Sequence, residues 1–155
     1  SISTDPENHD LMDHLRWDKV ARIPVPNLKV LGDEADSDLL IVGFGSTYGH
    51  LYSAMEELRR KGHKVALAQF KYVNPLPRNA PKVLTSYKKV VVAEQNLGQF
   101  AALLRIRVNG FVPYQYNQVK GQPFNVSELV CGFKKIIKSK EEPHTGGTFE
   151  ERVVY

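Results

Sequence analysis

The chain has 155 residues, of which 42% are hydrophobic and 25% are charged, and this balance predicts one globular domain with a sizeable buried core. No apolar run approaches the roughly 20 residues that a membrane-spanning helix needs, and the N-terminus lacks a signal-peptide pattern, so we expect a cytoplasmic protein without a membrane partner. Its single cysteine excludes an internal disulfide framework and an iron–sulfur cluster held by this chain alone.

The net charge of +4 raises the question of nucleic-acid binding. Much of that charge, however, closes two predicted helices, at residues 59–61 and 134–140, where cations offset the negative end of the helix dipole. No aromatic ladder or nucleic-acid motif accompanies these lysines and arginines. The distribution therefore predicts a solvated basic surface and no nucleic-acid partner.

The chain divides into three predicted parts. Residues 1–27 are expected to form an N-terminal helix and linker, because Thr4 can cap a helix and Pro24 opposes its continuation. Residues 28–138 are expected to form the folded domain. Residues 139–155 form a polar tail without a hydrophobic period, which is either mobile or lies on a partner.

Within the domain, short apolar runs alternate with segments of helical period, a pattern typical of a mostly parallel sheet covered on both faces. The first long helix of the domain is expected to end at Gly62, and the last two helices are expected to be capped by Asn96 and Asn125. The fold class is therefore α/β. Strands are predicted at residues 28–31, 38–44, 64–70, 89–93 and 111–116.

The glycine-rich stretch GFGSTYG, residues 43–49, joins the second predicted strand to a helix, which is where many folds hold a nucleotide phosphate. Its spacing departs from G-x-G-x-x-G, and the next strand ends in Gln69-Phe70-Lys71 without the acidic residue that would bind a ribose hydroxyl. A P-loop lysine and a G-x-S-x-G elbow are both absent. A small dinucleotide-binding enzyme stays an alternative, but we predict no cofactor-binding residue.

Two other side chains raise a chemical question. Cys131 lies among apolar residues of the last predicted helix, so we expect a buried, inert thiol. Glu94 ends a buried strand without a visible acidic or basic partner, which favours a structural or interface hydrogen-bonding role over that of a general base. The five histidines lack the i, i+4 spacing of a helical metal site. We therefore predict no catalytic residue and no metal site in this chain.

Five motifs occur in a fixed order along the chain: STDPENHDLM, VGFGSTYG, YVNPLPRN, VVVAEQNLGQ and VKGQPFNVSE. Together they resemble the C-terminal region of the alpha subunit in the 2-oxoglutarate:ferredoxin branch of the 2-oxoacid:acceptor oxidoreductases. The resemblance covers residues 3–138 and implies a three-layer α/β/α domain of the transketolase C-terminal type. It also implies a five-stranded, mostly parallel sheet whose first strand is antiparallel.

The resemblance further implies a thiamine-diphosphate-dependent enzyme that decarboxylates a 2-oxoacid, reduces ferredoxin and forms an acyl-CoA, in which this domain supports assembly. Thiamine diphosphate, Mg²⁺ and an iron–sulfur cluster belong to the complete enzyme. We expect none of them on this chain, which lacks cluster cysteines and the G-D-G magnesium motif, since Glu34 follows Gly32-Asp33. The expected partners are the remainder of the alpha subunit, the beta subunit, ferredoxin and CoA. A stand-alone binding or regulatory module of the same fold is the alternative.

The strand order implied by the resemblance places a crevice between the ends of the second and fourth strands. Two loops border this crevice, and their glycines, hydroxyls and amides suit a surface that faces a partner. Gln122 joins them on the resemblance only, and the alternative is that these side chains cap their own helices. A Glu94→Lys change is expected to impair assembly with little effect on stability. The predicted interface residues are Gly45, Ser46, Thr47, Tyr48, Glu94, Gln95, Asn96 and Gln122.

Overall fold

The computed structural model describes residues 24–32, 36–118 and 122–143 and the backbone of residues 152–154. The helix predicted near the N-terminus lies outside the described residues. The elements, in chain order, are β1 Val30–Gly32, β2 Leu39–Phe44, α1 Tyr48–Arg60, β3 Val65–Phe70, α2 Ala80–Leu84, β4 Val90–Glu94, α3 Gln99–Arg107, β5 Tyr114–Gln118, α4 Val126–Lys138 and β6 Arg152–Val154.

The strands form one sheet in the order β1-β3-β2-β4-β5-β6. β3 and β4 pair in parallel on either side of β2, β5 pairs in parallel with β4, and β1 is antiparallel to β3. The predicted five strands with an antiparallel first strand are therefore confirmed. A sixth strand, β6, pairs antiparallel with β5. It lies in the tail, residues 139–155, which was expected to be mobile or to lie on a partner, and residues 152–154 pair instead with the chain's own sheet.

Helices cover both faces of the sheet. Leu39 and Ile41 of β2 pack with α1 and α4 in one hydrophobic cluster, whereas Leu40 and Val42 pack with α2 and α3 in the other. Because alternate side chains of a strand point to opposite faces, a strand buried on both faces is apolar throughout. This explains the continuous apolar runs of the sequence and confirms the three-layer α/β/α architecture.

Two predicted helix ends are confirmed. Gly62 adopts a φ of +91°, and the N–H of His63 donates to the carbonyl of Leu58 at 3.0 Å, so the chain turns out of α1 in a left-handed glycine cap. At the start of α4, the side-chain oxygen of Asn125 accepts a hydrogen bond from the N–H of Glu128 at 3.1 Å. Among the described residues, no helix combines the length and the apolar character needed to cross a membrane.

The predicted burial of Cys131 is wrong, because this thiol is exposed. α4 buries Leu129, Phe133 and Ile136, which recur at helical spacing on one face. A residue two positions after Leu129 is rotated by about half a turn and points away from that face. Apolar neighbours in the sequence were therefore a poor guide to burial, whereas the helical period would have placed the thiol outward.

Lys89, which immediately precedes β4, binds the end of α4. Its Nζ donates hydrogen bonds to the carbonyl oxygens of Ile136 at 2.9 Å, Ile137 at 2.8 Å and Ser139 at 2.6 Å. The last carbonyls of a helix have no intrahelical partner and carry the negative end of its dipole. The lysine therefore fastens the C-terminal end of α4 to the beginning of a central strand.

We expect Lys89→Met to lower the free energy of unfolding by about 1.5 kcal/mol, because three charge-assisted hydrogen bonds are lost while the aliphatic stem is kept. Urea denaturation of the chain measures this change. Lys88→Met is the matched control, since Lys88 is an exposed neighbour, and it is expected to have little effect. Equal losses in the two variants would show that general charge, and not the bonds to α4, accounts for the result.

Candidate functional site

The candidate site lies at the carboxyl edge of the sheet, beside β2 and β4. Chain order reverses here, since β3 lies on one side of β2 and β4 on the other. Residues 45–47 form a single 3₁₀ turn between β2 and α1, and residues 95–98 connect β4 to α3. In parallel α/β sheets, a crevice opens at such a switch point. The two predicted loops therefore lie at the switch point, where this rule places a crevice.

Gln69, at the end of β3, fixes the shape of the first loop. Its Nε2 donates to the carbonyl oxygen of Gly45 at 3.0 Å and to Oγ1 of Thr47 at 3.3 Å, and Thr47 Oγ1 donates to the carbonyl oxygen of Phe44 at 3.3 Å. The sequence analysis used Gln69 only as evidence against a ribose site and missed this role. The available signal was an amide side chain at a strand end, one strand away from a glycine-rich loop.

Gly43 allows this close arrangement of side chains. A Cβ atom at this position would lie 2.3 Å from Cδ1 of Leu51, 2.5 Å from Oε1 of Gln69 and 3.1 Å from Oγ1 of Thr47. The first glycine of the loop is therefore required for packing against α1 and β3. Close packing is therefore a sufficient reason for glycine at position 43, and no nucleotide-binding role is needed to explain it.

Glu94 points into the protein and is only 4% exposed. Its two carboxyl oxygens accept hydrogen bonds from the N–H groups of Phe100 and Ala101, both at 3.0 Å. Burial raises the pKa of this carboxyl group, and the bonds from the N–H groups of Ala101, Phe100 and Gly98 act in the opposite direction. Glu94 therefore caps α3 from the end of β4 and presents no free carboxylate to the crevice.

This position changes the expectation for Glu94→Lys. A lysine here would place a positive charge in a buried space beside N–H donors at the positive end of a helix dipole. We now expect the substitution to destabilise the chain strongly. It is therefore unsuitable as a probe of an interface.

The second loop is held together by its own amides. Oδ1 of Asn96 accepts from the N–H groups of Gly98 at 3.1 Å and Gln99 at 3.3 Å, and Oε1 of Gln99 accepts from the N–H of Leu97 at 3.0 Å. α3 begins at Gln99, and its N-cap residue is Gly98 with a φ of +92°. The prediction that Asn96 caps this helix is therefore wrong in register, although its side chain does bind the N–H of Gln99.

The structure brings Gln95 and Gln122 together. Nε2 of Gln95 donates to the carbonyl oxygen of Gln122 at 2.6 Å, and Nε2 of Gln118 donates to the same oxygen at 3.0 Å. Gln118 also donates to the carbonyl oxygen of Pro123 at 3.1 Å. Gln122, assigned to this surface by resemblance alone, is thus joined to the second loop.

The eight predicted interface residues differ in exposure, with two buried, one half-buried and five exposed. Thr47 and Glu94 are buried. The capping alternative describes Glu94, which binds the N–H groups at the start of α3. It does not describe Thr47, whose hydroxyl bonds Phe44 and Gln69 and makes no cap bond to α1. Gln95 is half-buried. The residues exposed beside the crevice are Gly45, Ser46, Tyr48, Asn96 and Gln122.

Within residues 24–32, 36–118 and 122–143, no three His, Cys, Asp or Glu side chains are close enough to hold a metal ion. What the two loops offer is a polar surface of backbone, hydroxyl and amide groups, and this arrangement is suited to hydrogen bonding with another molecule.

Comparison with known proteins adds the family. The model of the pyruvate:ferredoxin oxidoreductase core domain II matches residues 37–129, which is more than half of the chain and includes both loops of the crevice. The chain belongs to this family. The resemblance read from the five motifs is confirmed.

The similarity extends to complete subunits. The 2-oxoglutarate oxidoreductase subunit KorA of Mycobacterium tuberculosis is 45% identical over 129 residues, which are 83% of this chain and 19% of KorA. A solved structure of the 2-oxoglutarate:ferredoxin oxidoreductase of Magnetococcus marinus, with 2-oxoglutarate, coenzyme A and succinyl-CoA bound, is 30% identical and has a TM-score of 0.70. That match covers 89% of this chain and 25% of the other. The chain thus spans about a fifth to a quarter of these relatives.

A structure of a split-gene transketolase in an inactive β4 tetramer matches 77% of the chain with a TM-score of 0.56. Its sequence is only 16% identical, so this likeness concerns the fold alone. It confirms that the domain has a transketolase-like α/β architecture.

Proposed function

We propose that this chain is part of the alpha subunit of a cytoplasmic 2-oxoglutarate:ferredoxin oxidoreductase. The reaction converts 2-oxoglutarate, CoA and oxidised ferredoxin to succinyl-CoA, CO₂ and reduced ferredoxin. The observation that carries the proposal is the 45% identity to the KorA subunit over 83% of this chain. The fold match to the Magnetococcus marinus enzyme, with a TM-score of 0.70, supports the same assignment.

Within that enzyme, we assign the chain a supporting and assembly role. The described residues do not fit thiamine diphosphate with Mg²⁺ or an iron–sulfur cluster, because they contain no metal-binding group of side chains and Cys131 stands alone. The Gly45 carbonyl and the Gln69 amide are hydrogen-bonded to each other. Thiamine diphosphate, Mg²⁺ and the cluster are therefore assigned to the rest of the complete enzyme.

The decisive experiment is an assay of the complete alpha subunit with its beta subunit. We expect reduction of a viologen dye, or of ferredoxin, that requires both 2-oxoglutarate and CoA. We also expect kcat/KM for 2-oxoglutarate to exceed that for pyruvate by at least about tenfold, since a site that pairs a second carboxylate leaves its charged partner unsatisfied with pyruvate. The isolated chain is the control without turnover. A complete enzyme that oxidises no 2-oxoacid would refute the proposal.

The exposed residues beside the crevice are proposed to face the remainder of the alpha subunit and the beta subunit. Ser46→Arg tests this, because a long charged side chain on an exposed loop residue blocks close approach without entering the core. Ser53→Arg, at an exposed position within α1, is the matched control. We expect Ser46→Arg alone to reduce co-purification of the two subunits. Equal recovery of complex with both variants would contradict the assignment.

A further inference from the structure

Exposed apolar side chains are concentrated at one edge of the molecule. Among the described residues, five of the seven exposed large hydrophobic side chains follow the carboxyl ends of β2, β3 and β4, and each is between 39% and 48% exposed. We call these five the carboxyl-edge patch. The other two, Ile106 and Val112, lie at the end of α3 and before β5. The carboxyl-edge patch consists of Phe44, Tyr48, Tyr52, Tyr72 and Leu97.

Three aromatic rings of the patch, those of Phe44, Tyr48 and Tyr52, pack against other aromatic rings. The ring of Phe44 lies 5.4 Å from that of Phe100, which in turn lies 5.3 Å from the buried ring of Phe70. The rings of Tyr48 and Tyr52 are 5.8 Å apart on successive turns of α1. Aromatic side chains fixed in this way lose little conformational entropy when they are covered. A grouped, fixed apolar surface of this kind is typical of an interaction site.

We propose that the carboxyl-edge patch is covered by the remaining polypeptide of the same alpha subunit, before any second subunit binds. This inference rests on the proposed function. Its first support is length, since the chain accounts for 19% of KorA and 25% of the Magnetococcus marinus chain. Most of such a subunit lies outside the part that this chain matches and is available to cover the patch.

The second support is the position at which the chain enters the domain. β1 runs antiparallel to β3, with Val30 opposite Ala68, so residues that precede β1 lie toward the carboxyl end of β3. Leu28 is fixed there by Asn79, whose side chain accepts from the Leu28 N–H at 2.7 Å and donates to its carbonyl at 2.9 Å. Leu28 therefore lies near the edge that carries the patch.

The occupant must match this chemistry. Three of the five side chains are tyrosines, which present an apolar ring and a hydroxyl group to the same partner. A complementary surface would place aliphatic or aromatic side chains on the rings and hydrogen-bond acceptors near the hydroxyl groups. Tyr48 and Leu97 belong both to the patch and to the crevice region, whose other exposed groups are polar.

Hydroxyl-radical footprinting tests the inference on the isolated chain, on the complete alpha subunit alone and on the alpha subunit with its beta subunit. In the complete alpha subunit alone, we expect oxidation of Tyr48 and Tyr52 to fall about fourfold relative to the isolated chain, because interface core residues lose nearly all of their solvent contact. Ile106, which is 78% exposed and outside the patch, is expected to react equally in all three samples.

A pair of variants gives an independent readout. Tyr52→Ser is expected to leave the Tm of the isolated chain nearly unchanged and to lower the Tm of the complete alpha subunit, whereas Ile106→Ser is expected to change neither.

Equal oxidation of the two tyrosines in the chain and in the complete alpha subunit would overturn the inference. Protection that needs the beta subunit or ferredoxin, or that arises in the isolated chain at high concentration, would also overturn it and would identify that protein or a second copy as the occupant. Turnover of 2-oxoglutarate by the same preparation separates each of these results from failure of the proposed function.

Discussion

Replacing Glu94 with alanine is expected to lower the free energy of unfolding at pH 7 by about 3 kcal/mol. The substitution removes both acceptors of the Phe100 and Ala101 N–H groups, in a position that is only 4% exposed. Two buried donors at the start of α3 then lack a partner. Urea denaturation followed by circular dichroism measures the loss.

Glu94→Gln is the matched control for this experiment. It keeps the shape of the side chain and one carbonyl acceptor, so we expect about half the loss of the alanine variant. An alanine variant as stable as wild type would show that water or a rearranged loop can satisfy these N–H groups. The role of Glu94 as the cap of α3 would then be wrong.

The pH dependence of stability follows from the same burial. Because burial raises the pKa of Glu94 above its ordinary value of 4.5, the folded state binds this proton more tightly than the unfolded state. The stabilisation is complete below the unfolded pKa and is lost as the pH rises through the folded pKa. The stability of the wild type relative to Glu94→Gln is therefore expected to decrease from pH 4 upward. A relative stability that increases with pH would mean that the N–H bonds to the carboxylate outweigh its burial.

The second large effect is expected at Gly43, where alanine should cost about 2.5 kcal/mol. Its Cβ atom would overlap Cδ1 of the buried Leu51 and Oε1 of Gln69. Relief requires Gln69 to move, which breaks its bonds to Gly45 and Thr47 and loosens the first loop of the crevice. In the complete enzyme, we therefore expect weaker subunit assembly in addition to a lower Tm.

Gly49 provides the control for this substitution. It lies in the first turn of α1, and an added Cβ would meet no atom within 4 Å. Gly49→Ala is expected to stabilise the chain by about 0.5 to 1 kcal/mol, because alanine favours a helix over glycine. A similar loss from both substitutions would mean that the loop needs backbone freedom at both glycines and that the close contacts at Gly43 are not the cause.

The central part of the fold was predictable because its signals are local. β2, β3 and β4 are apolar except for Gln69 and Glu94 near the ends of β3 and β4, and each strand was located within one residue at either end. β5 was placed too early, at residues 111–116, because the observed strand Tyr114–Gln118 contains buried polar residues that break the apolar pattern. Such burial depends on tertiary contacts, which the composition of the strand does not reveal.

The candidate site was predictable as a location but not as a set of side chains. Strand order determines which loops meet at the crevice, and the resemblance implied that order. Whether a side chain there turns inward depends on which neighbouring donors are unpaired. Glu94 turns inward because α3 begins beyond Gly98 with free N–H groups. Gln69 does so because the Gly45 carbonyl and the Thr47 hydroxyl lie beside it.

The small strand β6 has a consequence for the solubility of shortened chains. It pairs with β5 through residues 152–154, opposite Tyr116, Asn117 and Gln118. A chain cut after Pro143 would leave β5 as an outer strand, with a row of backbone donors and acceptors open to another molecule. Rows of this kind template intermolecular pairing and aggregation. Residues 152–154 therefore cover the outer edge of β5. Their removal is expected to produce aggregates even though every helix of the domain is retained.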